Sequence, residues 1–534
     1  MFKDNIKSKF TTLSPLFLTN HGNEIKLEMK PYLQPFEQDL AIRELKALLG
    51  ENDKLTENNG LFLLETTIPV HVFHSKLTYW QRVGYQELEP TEQKILEFTQ
   101  SGLSNFTNRN ELHKTRRLRY GPHDLHEYRG KFFPQLVRSL INISRIPDKS
   151  IIMDPMCGSG TTTCEAVVQG MAAIGADLNP LSVLIASVKS EIPCMSYNNF
   201  REKVSSHIDN IQFPKVNKKN MWEENDLCYL ERWFSSDALD DIASILSSIY
   251  NLPKDAYRDL FYVCLSNIIR SVSWQKESDL RVRKEIKSYT TGEAQTRFIE
   301  ELKNQCDKIE PYLCVLNLEA RHKKHSIKIK QANAVNIASI FPEYKHKVDL
   351  LITSPPYATA LPYLDTDRLS LIALKLLARK NHKDAEYNMV GTREISEKER
   401  QKEWENYQLR KHELPNDIVI LIDNIAKVNH QNGIGFRRRN LPALLGKYFL
   451  SMLDAMHSAH KLMKPNSYGF YVVGNNSTEV DGKKIIIPTD DFLYQIGEHA
   501  GWTPIEKIPM ELLSSRDIFR ENRGSSETIL CFKA

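Results

Sequence analysis

Apolar and polar positions alternate differently along different stretches of the chain. LFLLETTIPVHVFH (61–74) is rich in Thr, Val and Ile and reads as strand. EPTEQKILEFTQSG (89–102) has helical spacing and predicts a helix closed by Gly102. Near residue 120 the texture changes. KSIIMDPMCGSGTTTCEAVVQGMAAIGADLNPLSVLIASVKS (149–190) reads as a buried strand (Ile151, Ile152, Met153), a glycine turn, a helix, a second strand (Ala172 to Asp177) and another helix. That is a βαβ unit, which predicts a parallel sheet covered by helices.

Residues 195–330 break the alternation. FSSDALDDIASILSSIYNLP (234–253) predicts a helix capped by Ser235 or Ser236 with Pro253 beyond its end, and two further helical segments follow. So long a helical block is too large for a loop and reads as an inserted subdomain. Sheet texture resumes at KHKVDLLITSPPY (345–357), where VDLLIT is a buried strand, and a highly charged second insertion spans 365–440. KYFLSMLDAMHSAHKLMKP (447–465) predicts a helix ended by Pro465, and GFYVVGNN (469–476) and SSETILCFKA (525–534) predict the last strands. No internal repeat interrupts the pattern. The expected division is 1–115 as a mixed N-terminal region, 116–194 with 331–534 as an α/β domain, and the two insertions.

Composition narrows the class. The 534 residues carry 71 Lys+Arg against 67 Asp+Glu, a net charge of +4, with 41% hydrophobic and 26% charged residues. This balance excludes whole-chain disorder and a polycation, though a local basic face needs no basic total. The eight cysteines form no C-x-x-C pair, and their low density fits a reducing compartment. The N-terminal stretch has no apolar signal core and no window suits a membrane span, so a cytoplasmic protein is expected.

DPMCGSGTTT (154–163) follows a buried strand and opens a helix. Gly158 and Gly160 allow a tight turn and close backbone approach to a ligand. Asp177 ends the next strand, close to the roughly 20-residue spacing at which an acid meets a ribose hydroxyl. The loop lacks the Gly-Lys-Ser/Thr of a phosphate loop. Its Asp154 would repel a pyrophosphate and suits a cation such as the ammonium of a methionine moiety, which favours S-adenosylmethionine over ATP or NAD. TSPPY (353–357) is more specific. Two prolines stiffen the turn at a strand end, while Ser354 offers a hydroxyl, Pro355 a carbonyl and Tyr357 a flat ring. This set suits an exocyclic amine on a planar base.

Taken together, these motifs resemble those of amino-group DNA methyltransferases of restriction–modification type. DPMCGSGTT resembles their cofactor motif, usually DPFxGSGTT. TSPPY resembles their catalytic motif in its Ser-Pro-Pro-Tyr form, most typical of cytosine-N4 enzymes. HEYRGKFFPQLVRSLI (126–141) resembles the preceding cofactor motif through Phe133-Pro134, and HKLMKPNSYGFYVV (460–473) resembles a later helix–Pro–Gly–strand element. QANA (331–334) stands where an acidic residue is usual, with Asn333 in its place. The matches cover about 120–190 and 331–534.

The resemblance implies a Rossmann-like class I S-adenosylmethionine-dependent sheet in unpermuted order, with a helical insertion and an extra N-terminal region. Its implied cofactor residues are Phe133, Asp154, Met156, Cys157, Gly158, Gly160, Thr161, Asp177 and Asn333. Ser354, Pro355, Pro356 and Tyr357 are the implied catalytic set, acting on a flipped base of double-stranded DNA. Cytosine N4 is the expected target and adenine N6 the alternative. An RNA guanine-N2 enzyme usually has Asp-Pro-Pro-Tyr, and a silent DNA-binding subunit would not keep both motifs. A separately encoded restriction enzyme is the implied partner, and no metal is expected.

Some features are decoys. Pro193-Cys194 follows the cofactor motif too soon for a cytosine-C5 thiolate. Asn179-Pro180 lacks the second proline and the tyrosine of an adenine motif. His322 and His325 lie in a charged stretch. Four basic clusters remain: Lys114–Arg119, Arg281–Lys284, Arg321–Lys324 and Arg437–Arg439. Arg281, Arg283, Arg437, Arg438 and Arg439 are the candidate DNA contacts, and the two insertions the candidate recognition surface.

Overall fold

A computed structural model of the chain describes residues 24–58, 60–101, 117–128, 133–276, 283–317, 326–358, 363–429, 435–480, 483–511 and 526–534. Gly102, Arg281, His322, His325, the cluster Arg321–Lys324 and the first half of Lys114–Arg119 lie outside the described residues.

The first described sheet is antiparallel, in the order β2-β3-β1-β4-β5. Its strands are β1 (Glu24–Met29), β2 (Lys54–Asn58), β3 (Leu61–Glu65), β4 (Trp80–Gly84) and β5 (Glu89–Pro90). Only the first half of 61–74 is strand. Pro69 N-caps a helix, Val70–Lys76, so a stretch with high β propensity turns helical where Phe73 and Val70 enter the core. The next helix is shorter than its pattern suggested, Glu92–Phe98 capped by Thr91, because 89–90 pairs with β4 instead.

Seven strands form the main sheet: β6 (Ile151–Asp154), β7 (Ala172–Asp177), β8 (Ile327–Gln331), β9 (Val348–Thr353), β10 (Met463–Gly474), β13 (Thr503–Glu511) and β14 (Ser526–Lys533). A separate hairpin joins β11 (Asn476–Val480) to β12 (Lys483–Ile487). The main order is β13-β14-β10-β9-β6-β7-β8, with β14 antiparallel to both of its neighbours and the inner pairs parallel. This is the Rossmann-like class I methyltransferase sheet. The chain runs outward from β6 to β8 and then returns to β9, so β6 and β9 lie side by side at the switch point, with Met153 opposite Leu351. Ligands of such sheets bind at the carboxyl ends of strands there.

Three large cores and one small cluster hold the described residues together. One face of the main sheet (Ile152, Leu350, Phe470) packs into a core shared with the N-terminal sheet (Ile25, Leu27, Trp80), so residues 24–101 are fastened to the main sheet. The seam also contains the buried ion pair of Arg138 with Glu92, 2.7 Å apart. The helices of 197–317 pack on those that follow β6 and β7. The opposite sheet face packs on Phe436–His460 and its neighbours. That helix begins earlier and ends earlier than its pattern predicts. It takes Pro442 inside and stops at His460, while Pro465 lies within β10. Asn466 at φ +63° marks an irregularity in the β9 pairing, where a proline is tolerated.

Candidate functional site

β6 delivers Asp154 and the turn 155–160, which opens the helix Thr161–Val168. The turn has two faces. Toward the protein, the Cys157 N–H donates to the Ala176 carbonyl (2.9 Å) and buried Thr161 accepts from Lys189 Nζ (3.2 Å). Gly160 N-caps the helix at φ +77°, and a Cβ there would lie 2.6 Å from Ala186 Cα. Its missing side chain therefore serves close helix packing. Toward the open side, Pro155, Met156 and Gly158 line a cleft.

The two acids divide their work. Asp154 is 1% exposed, and its Oδ1 accepts from the Met156 N–H (3.1 Å) and from Thr353 Oγ1 (2.7 Å). Burial pushes its pKa up to about 6. It is not among the residues that line the cleft, where an acid for a ligand ammonium is expected from the sequence. Its carboxylate is spent on joining the ends of β6 and β9. Asp177 does line the cleft. Its oxygens accept from the N–H groups of Gly158 (2.9 Å) and Asn179 (2.8 Å), and burial pushes it up to about 6 as well.

β9 delivers Ser354, Pro355, Pro356 and Tyr357 to the same cleft. Among the described residues nothing donates to or accepts from the Ser354 hydroxyl, and nothing donates to the Pro355 carbonyl. The rest of the turn is clamped. The Pro356 carbonyl accepts from Tyr448 Oη (3.0 Å), and Tyr357 Oη donates to Glu527 on β14. The Tyr357 ring packs over Gly474, where a Cβ would come within 2.9 Å of it. Gly391, at φ +81°, leaves similar room beside Pro356.

Asn333 forms a third wall. Its Oδ1 caps the Val335 N–H (3.2 Å) and its Nδ2 donates to the Asn388 carbonyl (2.9 Å), beside Met389 and Val390. Tyr128, which accepts from Ser182 Oγ (3.1 Å), closes the side near Gly158. Together these residues line one cleft that is open to solvent at its mouth. A carboxylate at a strand end and a glycine cradle at φ +48° fit an adenosine cofactor.

Thus Met156, Gly158, Asp177, Asn333 and the Ser-Pro-Pro-Tyr residues converge. Asp154, Cys157, Gly160 and Thr161 stand behind the loop. Phe133 lies apart, lining a small pocket with Thr161 and Lys189. Asn179 is a helix N-cap, accepting from the Leu181 N–H (3.0 Å), which explains its Asn-Pro sequence. Cys194 sits half-buried in a short 3₁₀ turn. Arg437 to Arg439 form the exposed first turn of Phe436–His460, with Arg437 paired to Glu394 and Arg438 to Glu479. Tyr128, Asn179, Tyr448 and Glu527 were not foreseen. Tyr128 at least lies inside the 126–141 stretch, whereas no local pattern marks Glu527 as a partner of Tyr357.

Residues 125–244 match the RMKL-like methyltransferase domain family, UPF0020. The Type II methyltransferase M.MvaI of Kocuria varians is 21% identical over 436 residues, 77% of this chain and 90% of that one. M.BsoBI of Geobacillus stearothermophilus, another Type II methyltransferase, is 23% identical over 72% of this chain and 79% of its own length. M.MjaII of Methanocaldococcus jannaschii, also named a Type II methyltransferase, is 43% identical over 67 residues, 12% of each chain. The chain therefore resembles restriction–modification methyltransferases well beyond its two motifs. The domain match and the sheet order imply S-adenosylmethionine as methyl donor.

Proposed function

We propose that this protein methylates DNA, placing a methyl group on the N4 amine of a cytosine flipped out of the duplex. The observation that carries the reading is the single cleft. It sets the unpartnered Ser354 hydroxyl and Pro355 carbonyl against the wall formed by Gly158 and Asp177.

Asp177 would hold the ribose hydroxyls of the cofactor, Met156 and Gly158 its flank, and Asn333 the adenine side. When bound, S-adenosylmethionine supplies an already activated methyl group. The chain's own task is then positioning. The Ser354 oxygen and the Pro355 carbonyl accept the two amine hydrogens and so aim the nitrogen lone pair into the cleft. Pro356, tied to Tyr448, keeps that carbonyl in place. Tyr357, fixed at its hydroxyl by Glu527, presents its ring as a platform for the base. A neutral serine is a weak base, but the methylated amine is acidic enough to release its proton to water.

The helical block 195–330 and the segment 365–440 would carry target recognition, with Arg437, Arg438, Arg439, Arg281 and Arg283 on the DNA backbone. Nucleoside mass spectrometry of duplex DNA incubated with the protein and cofactor tests the reading. N4-methylcytosine is the expected product. N6-methyladenine would move the target, and C5-methylcytosine would overturn the mechanism, which contains no thiolate attack.

A further inference from the structure

β9 and β10 run parallel, with Thr353 opposite Tyr471, so β10 ends at the same edge of the sheet as the Ser-Pro-Pro-Tyr turn. Gly474 closes β10 against the Tyr357 ring, and two residues later the chain enters the separate hairpin of β11 and β12. The base of that hairpin is fastened to the turn. Asn476 Nδ2 donates to the carbonyl of Ala358, the residue after Tyr357 (2.5 Å). Opposed side chains of an antiparallel pair share a face, and faces alternate along each strand. Ile485 and Ile487 turn inward and pack into the core around Phe436–His460. Ser477, Glu479, Lys484 and Ile486 turn outward, and all four are exposed. Among these polar neighbours stands Ile486, 64% exposed.

Single exposed apolar side chains are ordinary on protein surfaces. What sets this one apart is its place. Ser477, opposite Ile486, is three residues past Gly474, which is about 10 Å of extended chain. The major groove alone is about 12 Å wide, so a duplex that lays a base on Tyr357 also lies over the outward face of the hairpin. The charge there suits a duplex. Lys484 is on that face, and Arg438 reaches Glu479 on it (3.3 Å), which brings the exposed first turn of Phe436–His460, with Arg437 and Arg439, alongside. Those cations suit phosphates, but an isoleucine does not. Apolar side chains that do enter DNA, Ile among them, act as wedges between base steps. Extruding a base opens such a place in the stack.

We propose that Ile486 is an apolar wedge that enters the duplex beside the target base and fills the place the base leaves. The proposal rests on the DNA reading above and adds the residue that keeps the base extruded. The test compares single-turnover methylation of two duplexes by the full chain, saturated with S-adenosylmethionine. Both carry the same methylation site. In one the target base is paired; in the other it faces an abasic position, so that extrusion costs little. Ile486→Ala should slow the paired duplex roughly tenfold and the abasic one much less. Ile486→Leu, which keeps the apolar bulk, should recover most of the paired rate. Calorimetric affinity for S-adenosylmethionine should be the same in wild type and both variants, which establishes folding. Equal slowing of Ile486→Ala on the two duplexes overturns the wedge, because a plain binding contact would act on both alike. If wild type methylates neither duplex, the DNA reading falls as well. If wild type methylates both and Ile486→Ala is as fast on each, only the wedge falls.

Discussion

Gly158 and Gly160 stand two residues apart with similar positive φ, yet the structure predicts different consequences for an added methyl. At Gly160, φ is +77° and the new Cβ would sit 2.6 Å from Ala186 Cα and 2.7 Å from its Cβ. Carbon atoms pack at about 3.5–4.0 Å, so the helix Pro180–Glu191 must move by roughly 1 Å. The left-handed conformation costs about 1–2 kcal/mol and the overpacking about 1–3 more, together about 2–5 kcal/mol. At Gly158, φ is +48° and the nearest atom is Tyr128 Cε1 at 3.0 Å, a contact that a shift of the ring by a few tenths of an ångström relieves. There the expected loss is the conformational share alone, about 1–2 kcal/mol. But Tyr128 walls the cleft, so Gly158→Ala should also weaken S-adenosylmethionine, by roughly tenfold, or about 1.4 kcal/mol. Urea unfolding separates the first effect and titration calorimetry the second. A Gly160→Ala variant as stable as wild type, or a Gly158→Ala variant that loses stability and keeps full affinity, would refute the division of the loop into a packing face and a ligand face.

Tyr357→Ala should keep cofactor affinity while lowering single-turnover methylation roughly ten- to hundredfold, because a base–aromatic stack is worth about 1–3 kcal/mol; lost affinity would place the ring at the cofactor instead. Replacing Arg437, Arg438 and Arg439 by Gln should weaken binding to all duplexes and flatten the salt dependence measured by anisotropy. The acid partners of Arg437 and Arg438 are exposed and therefore hold them weakly. Asp177 predicts opposite pH trends for binding and stability. Its pKa rises from 3.8 to about 6 on burial, so its stabilising contribution is full below about 4 and lost as pH rises through 6, a decline that Asp177→Asn should flatten in thermal melts. Cofactor affinity should instead rise with pH through 6, as the carboxylate gains its acceptor oxygen, and this dependence too should vanish in the Asn variant.

Local pattern made the sheet legible. Ile151–Asp154 and Val348–Thr353 are short apolar runs that end in glycine or proline turns, and both strands formed where the pattern put them. Ser235 capped its helix, accepting from the Ala238 N–H (3.2 Å). What failed were boundaries decided by tertiary context. Val70–Lys76 became helical because Pro69 could start a turn whose apolar face had a core waiting. Pro465 did not stop the helix before it, because the chain had already turned at His460. In the site, motif membership did not reveal direction. Asp154 and Asp177 look equivalent in sequence, each an acid at a strand end. Only the fold shows that Thr353 lies within reach of one of them.

That difference has a physical origin in the switch point itself. A strand pair that meets there exposes two loops to the same ligands, and loops are where backbone positions are least constrained. A buried carboxylate bridging them is costly, as the rise of Asp154 to about 6 reflects, but it takes a donor from each side, the Met156 N–H and the Thr353 hydroxyl. The cofactor turn and the Ser-Pro-Pro-Tyr turn are thereby held in register by one residue. In-line transfer demands such a fixed relation, since a misplacement of about 1 Å between donor and acceptor can cost a hundredfold in rate. On the proposed reading, Asp154 then contributes by holding the two loops in register, and Asp177, which lines the cleft, is the acid assigned to the ligand.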